Sequence, residues 1–297
     1  MFSSMLGDKV HAFVTLIRPY NATAALLACA IGFLFPSTTK NWTDFVFALV
    51  TLLLCHSFAT VLNDIIDQDV DLVNAPEKPL QVKRIMLIEA KRYTFILAIL
   101  AVGLSLLHPL PQLLCTIFFL LIIYLYNCKP FQFSYKPILS VITLGFAYTC
   151  IPMLYGYMLN NNVFGIFYGK GLLFPGLVLA WLLVRISISM LKDYKDEIGD
   201  ALFHKKTFYL AYGKRVTAVT SFILAIIGYT GILIVSFYMK TLSFVSLLPI
   251  FFCLLVFLPR VKLLATTEAK QANVLFHKIF FSENRFEAAY LLWLIFG

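Results

Sequence analysis

Two acidic stretches, NDIIDQDVD at 63–71 and DYKDEIGD at 193–200, each follow a long apolar run and share one spacing. Asp64, Asp67 and Asp71 are separated by three and four residues, and Asp193, Asp196 and Asp200 repeat that interval. At 100° per residue, either trio stays within an arc of about 60° on a helix. Asp69 stands about 140° away from Asp64 and is expected to be merely solvated. On the apolar side His56 and Thr60 precede Asp64 by eight and four residues, as Arg185 and Ser189 precede Asp193. Each helix thus extends a polar stripe to a depth where ionisable groups are expensive and usually functional. Six carboxylates around one cavity would drive each other's pKa values up unless cations sat among them. Oxygen donors with no adjacent histidine or cysteine set suit a hard ion. Mg²⁺ in particular is often held by one or two carboxylates while substrate phosphates complete its octahedron. The lysine-rich stretches beside the acids would then meet the outer oxygens of a phosphorylated ligand.

The elements that must carry these groups are built for lipid. Of 297 residues 61% are hydrophobic and 13% charged, too little polar surface for a water-soluble domain of this size. Runs near the roughly 20 residues that cross a bilayer recur at about 12–36, 43–66, 90–107, 110–127, 137–158, 163–191, 216–238, 242–259 and 279–296. The expectation is an all-α polytopic membrane protein, a bundle of about nine transmembrane helices forming one domain over 1–297, with a cytoplasm-facing cavity at the acidic loops. With the amino terminus inside, twenty basic residues fall in the inner segments and three, Lys40, Lys170 and Lys240, outside. Only Arg185 is left within a span. The positive-inside rule then sets the orientation and accounts for most of the net charge of +9, so nucleic-acid binding has no place in the reading. Cys29, Cys55, Cys115, Cys128, Cys150 and Cys253 show no paired metal spacing and read as small core residues.

At the acidic motifs the chain resembles the UbiA superfamily of intramembrane prenyltransferases. Asn63, Asp64, Asp67 and Asp71 are similar to that family's NDxxDxxxD, with NAPEKPL resembling the segment that follows it. DYKDEIGD and the ensuing KKTFYLAYGKR resemble the second motif of branches that make archaeal ether lipids, chlorophyll or prenylated quinones. The resemblance implies that Asp64, Asp67, Asp71, Asp193, Asp196 and Asp200 bind two Mg²⁺ ions gripping a prenyl diphosphate, with Asn63 supporting the first. It also implies that Asp64, Asp67, Asp193 and Asp196 carry the catalytic role. Arg18 and Asn21 in LIRPYN look like the family's polar pair on the first helix. Tyr126 in YNCKPF looks like its pocket tyrosine, with Lys129 as the basic residue nearby. Departures from the family pattern fall at Gln68, at Gln81, Val82 and Lys83, and at Gln132 and Ser134. Lys78, Lys83, Lys129, Lys136, Lys195 and Lys206 are the candidates to supply the displaced positive charge.

Prenyl transfer ionises an allylic C–O bond, and pre-placed cations that neutralise the departing diphosphate lower that barrier. The expected partners are a prenyl diphosphate, an aromatic or lipid-like acceptor, and membrane lipid. Arg185 is expected to pair with an acceptor anion, with diphosphate or with a neighbouring acid such as the aspartates. His56 is a candidate proton acceptor or a hydrogen-bonded structural residue, and Ser189 shares the Arg185 stripe. Two other readings remain open at this point. A membrane terpene cyclase would make product without an acceptor. A divalent-cation or proton-coupled transporter would place its acids nearer the midplane.

Overall fold

A computed structural model describes residues 2–37, 40–239, 247–266 and 269–296. In hydrocarbon each backbone N–H and C=O must be satisfied within its own segment, so apolar runs fold as helices. Among the described residues every regular element is helical. Helices α1 (Phe2–Ile17) and α2 (Thr23–Leu34) make the first run, α3 (Trp42–Ile66) the second, and the short α4 (Gln68–Asn74) follows it. Next come α5 (Leu87–Ser105), α6 (Leu110–Asn127), and α7 (Pro137–Gly145) joined by a π-turn at Phe146–Cys150 to α8 (Ile151–Met158). The chain ends with α9 (Leu173–Ser189), the short α10 (Glu197–Leu202), α11 (Phe208–Met239), α12 (Leu247–Ala265) and α13 (Ala269–Phe296).

Six segments among the described residues are long and apolar enough to cross a membrane: Gly7–Leu34, Trp42–Ile66, Leu110–Asn127, Pro137–Met158, Gly169–Lys195 and Phe208–Met239. The protein is an integral, multi-pass membrane protein. Helices α5, α12 and α13 fall where the third, eighth and ninth apolar runs were expected. Residues 242–246 of the eighth run, Lys240 and the side chain of Cys253 lie outside what is described.

Several expected spans are interrupted. The first breaks at Arg18, which adopts φ 45° and ψ 61° ahead of a 3₁₀ turn, Pro19–Ala22. Pro19 disfavours the helical conformation at the residue before it and then opens the next turn. Within α11, Gly213 (φ 77°) breaks the helix just before the expected seventh run, which starts after the charged pair Lys214 and Arg215. The sixth run begins with 3₁₀ turns at Val163–Phe167 and Gly169–Leu172, and the regular helix starts only at Leu173.

Lipid tails are as apolar as leucine, so close van der Waals packing holds such a bundle together. Helices α2 and α8 meet backbone to backbone: a Cβ on Gly32 would sit 2.0 Å from the Met153 carbonyl oxygen, and one on Gly156 2.0 Å from that of Cys29. One core of Trp181, Tyr229, Phe286 and Tyr290 ties α9, α11 and α13 together, and a second of Leu16, Cys55, Phe119 and Ile123 joins α1, α3 and α6. Phe95, Ile99, Ile117, Leu179 and Ile227 are exposed on outer faces, as lipid contact requires.

Candidate active site

The acidic trios do not ride on single helical faces. Helix α3 ends at Ile66, and Asp67 (φ −88°, ψ 19°) is a hinge before α4, so Asp64, Asp67 and Asp71 belong to three successive pieces of structure. Helix α9 ends at Ser189, Asp193 sits in a 3₁₀ turn, Asp196 caps α10 and Asp200 lies within it. A one-face argument assumes an unbroken helix; here the redirected backbone itself turns the carboxylates inward. They line a single cavity of about 370 Å³ in which Asp67, Asp71, Asp193, Asp196 and Asp200 meet. Asp64 is buried just behind this wall, gripped by Arg18 Nη2 at 2.6 and 2.7 Å and by Lys78 Nζ at 3.0 Å. Asp69 is exposed.

Asn74 closes the two acidic loops on each other. Its Nδ2 donates to the Asp196 carbonyl (3.0 Å) and to Asp200 Oδ1 (3.3 Å), while its Oδ1 accepts from Gly199 N–H (2.8 Å). A Cβ on Gly199 would lie 2.5 Å from Asn74 Oδ1, so the glycine is what lets the amide approach. The sequence signal is the asparagine of NAPEKPL and the glycine of DYKDEIGD, whose pairing across about 125 residues no local pattern shows.

Positive side chains interleave with the acids. Lys78 Nζ also reaches Asp71 Oδ2 at 2.5 Å, and Lys195 and Asn21 line the cavity. Two lysines that sequence reasoning missed stand nearer the centre. Lys205 donates to Asp67 Oδ2 at 2.6 Å, and Lys192 contacts Asp193 Oδ1 (3.1 Å) and the Tyr126 hydroxyl (3.3 Å). Asn63 Nδ2 donates to Asp67 Oδ2 at 3.0 Å and to Asn127 at 3.1 Å. Lys83 and Lys129, by contrast, are exposed and outside the cavity. Lys83 occupies a left-handed turn (φ 56°) whose buried anchors are Leu80 and Ile85, which turns its side chain outward. Lys129 follows the end of α6, where Cys128 is extended; the periodicity that buries Tyr126 and Asn127 stops before it. Lys136 and Lys206 are exposed as well.

Burial pushes the Asp71 carboxyl up to about 6 although Lys78 pulls the other way, and pushes Asp200 up to about 7 against Lys205. Burial opposes the charge on Lys205, but Asp67 and its neighbours outweigh that and raise its pKa.

Deeper in the cavity His56, Thr60, Tyr126, Tyr148, Arg185 and Ser189 form the wall, and Phe276, His277, Phe280 and Phe281 of α13 line it from the side of the turn that carries Asp193, where Phe276 packs against Leu191 and Tyr194. Arg185 does not pair with the aspartates: its Nη2 donates to Glu287 of α13 at 2.6 Å. Nor is it alone within the bundle. Arg260, which the sequence had placed in an inner segment, is 2% exposed because α12 continues past Pro259. It donates to Glu283, to Ser221 (2.7 Å) and to Ser187 (3.0 Å). Glu283 and Glu287, four residues apart in an apolar run, were the overlooked signal, since such acids in a span need partners.

The donor set fits a hard divalent cation. It is oxygen-only, and the buried Asp193 Oδ2 has no hydrogen-bond partner. Among the described residues no three His, Cys, Asp or Glu side chains close into a metal cage.

A membrane-embedded helical bundle with acidic and basic groups around one pocket mouth, and aromatic and aliphatic walls beneath, suits a ligand with an anionic head and an apolar tail. The family model of the UbiA prenyltransferase family matches residues 24–284. The chain belongs to that family and is a prenyltransferase. Digeranylgeranylglyceryl phosphate synthase of Methanobrevibacter smithii is 26% identical over 272 residues, covering 89% of this chain and 91% of that protein. The synthase of the same name from Methanocaldococcus jannaschii is 29% identical over 226 residues, 74% of each chain. The fold is similar to that of a UbiA homologue from Archaeoglobus fulgidus bound to GPP and Mg²⁺ (TM-score 0.67, 16% identity, 94% of this chain and 99% of that one). It also resembles an apo UbiA homologue from Aeropyrum pernix K1 (TM-score 0.75, 13% identity, 92% and 97%).

Proposed function

We propose that the protein uses Mg²⁺ to transfer the prenyl group of an allylic prenyl diphosphate to a free hydroxyl of a glycerophosphate-type lipid, at the cytoplasmic side of its membrane. The observation that carries this reading is the meeting of two carboxylate sets and their lysines at one cavity mouth. The acceptor class is that of the product named for the synthases to which the chain is similar. Asp64, Asp67 and Asp71 would hold one ion and Asp193, Asp196 and Asp200 a second. Bound Mg²⁺ supplies positive charge against the diphosphate as the allylic C–O bond ionises.

The protein's own groups do the rest. Arg18, Lys78, Lys192 and Lys205 stand within reach of the same carboxylates and would meet diphosphate oxygens that the metal leaves free. Asn63 steadies Asp67 through its 3.0 Å hydrogen bond. Phe280 and Phe281 help keep water from the allylic carbon, and their faces can steady its positive charge. The tail lies between helices. The charge asymmetry of the loops orients the amino terminus and the acidic motifs toward the cytoplasm.

Purified protein in nanodiscs, given labelled geranylgeranyl diphosphate, Mg²⁺ and geranylgeranylglyceryl phosphate, should form a doubly prenylated lipid, and chelation should abolish it. Donor returned unchanged with this and with aromatic acceptors would refute the reading. Product formed without any acceptor would point to cyclisation instead.

A further inference from the structure

We propose that α5 carries a binding site for an anionic glycerophospholipid, whose phosphate sits between Lys91 and Arg92 while one of its apolar chains lies in a groove farther along the same helix face. The site is on the outside of the bundle, away from the catalytic cavity, and does not depend on the prenyl-transfer reading.

Helix α5 buries Ala90, Leu97 and Ala101 in the core that it shares with Cys55 and Val61 of α3. Its opposite face is open to lipid. Lys91 and Arg92 stand about 100° apart on the helix, and Ile88, Phe95, Ile99 and Leu106 all fall inside that arc. All four are exposed. Two cations thus bracket one end of an apolar stripe. Farther along it, Ala98, Ile99, Val102, Gly103 and Leu106 enclose a shallow groove of about 380 Å³. Gly103 leaves the floor of that groove open, since nothing lies within 4 Å of where its Cβ would be.

The depth of the groove fits a lipid of one leaflet. At the helical rise it lies about 9 to 21 Å from Arg92 along the axis. Half of a hydrocarbon core is about 15 Å, so a chain whose head is held at Arg92 passes over Phe95 and ends inside the groove.

The charge selects what fills it. Lys91 and Arg92 are exposed, and neither makes an ion pair among the described residues. Glu89 lies outside their arc and is already engaged, by Lys9 Nζ at 2.6 Å and by the Met86 N–H at 2.9 Å. Lys83 and Arg84, exposed in the turn just before α5, add positive charge at the same end. Basic clusters next to a membrane span attract anionic headgroups. A second protein helix laid in the groove would cover the apolar stripe but leave both cations without a counter-charge, whereas a phosphate neutralises them.

Native mass spectrometry of the purified protein, with phosphatidylglycerol and phosphatidylcholine of identical chains at equal concentration, tests the site. The wild type should retain one phosphatidylglycerol in preference to phosphatidylcholine by at least tenfold. A basic side chain beside an anionic headgroup is worth about fivefold in affinity, so the double variant Lys91→Gln/Arg92→Gln should lower phosphatidylglycerol retention about 25-fold. Gly103→Leu puts a side chain into open space, so it should keep the fold by circular dichroism while lowering retention of the same lipid at least fivefold. Lys206→Gln, an exposed lysine outside the site, should change retention by less than twofold. Equal retention of the two lipids, equal losses in Lys206→Gln and the double variant, or unchanged retention in Gly103→Leu would each overturn the proposal. So would a dimer that Gly103→Leu converts to monomer, because the groove would then belong to a second copy of the chain.

Discussion

Gly199→Ala is the sharpest probe of how the two acidic loops are held together. The new Cβ would lie 2.5, 2.6 and 2.7 Å from Oδ1, Cγ and Nδ2 of Asn74. That amide is no loose side-chain end, because hydrogen bonds of 2.8, 3.0 and 3.3 Å fix it. Relieving the clash by about 1 Å of movement breaks all three. At a net worth of about 1 kcal/mol each, the clamp contributes about 3 kcal/mol, roughly two powers of ten in the balance between joined and parted loops. Donor affinity in the presence of Mg²⁺, measured by isothermal titration with a thiolodiphosphate analogue, should therefore weaken about 100-fold, while helical content by circular dichroism stays that of the wild type. Asn74→Ala removes the same bonds without a clash and should weaken binding to a similar degree. The double variant should be little worse than either, since residues sharing one network are non-additive. Wild-type donor affinity in Gly199→Ala, or full additivity in the double variant, would refute the clamp.

Other outcomes follow from the same geometry. Lys205→Gln, which strips Asp67 of its 2.6 Å partner, should raise donor KM at least tenfold. Lys83→Ala and Lys129→Ala, both outside the cavity, should leave it within twofold; equal losses at all three would mean that the lysines act only through net charge. Asp64→Ala or Asp193→Ala should abolish transfer in a radiolabel assay and Asp69→Ala should not, and comparable loss at the exposed Asp69 would undo the assignment of the acids. The Asp200 carboxyl, pushed up to about 7 by burial, keeps a proton that the unfolded chain releases near pH 4. The native state therefore binds more protons across that window, and the metal-free protein should lose stability as pH rises from about 4 to about 7. Asp200→Asn should flatten this part of the melting-temperature profile, and a variant profile parallel to the wild type would show that the group is not perturbed.

The chemistry was legible in the sequence to the extent that residue type alone decides it. Six aspartates beside apolar runs require cations wherever they sit, so an oxygen-ligand, phosphate-binding site could be read before any geometry. The geometry offered for them was too simple. A spacing of three and four residues implies one face of a helix, yet Asp67 is a hinge and Asp193 lies in a 3₁₀ turn, conformations to which a 3.6-residue period is blind. The choice among lysines was out of reach for a related reason. Whether a loop lysine turns in or out is set by single left-handed residues, Lys83 itself and His204 just before Lys205, and by where α6 stops relative to Lys129. The pairing of Arg185 with Glu287 depended on α13 lying against α9, a contact that no local pattern encodes.

The interruptions themselves carry information. Backbone that leaves the helical path at membrane depth is tolerated only where it is buried in protein or lines a polar cavity. In this chain Arg18, Asp67, the π-turn at Phe146–Cys150 and the 3₁₀ turn at Lys192–Lys195 all border the same pocket: Arg18, Asp67, Tyr148, Lys192, Asp193 and Lys195 are on its wall. Each break carries at least one polar side chain of the cavity wall. Arg18 illustrates the exchange: a left-handed non-glycine residue carries strain of order 1–3 kcal/mol, and its guanidinium gains two hydrogen bonds to the buried Asp64 that offset it. Pro19 is the visible trace of that arrangement in the sequence, since a proline within an apolar run disfavours helix at the residue before it. In a chain of this kind, a polar residue just before a proline inside an otherwise unbroken span marks the lining of the cavity more directly than helical periodicity does.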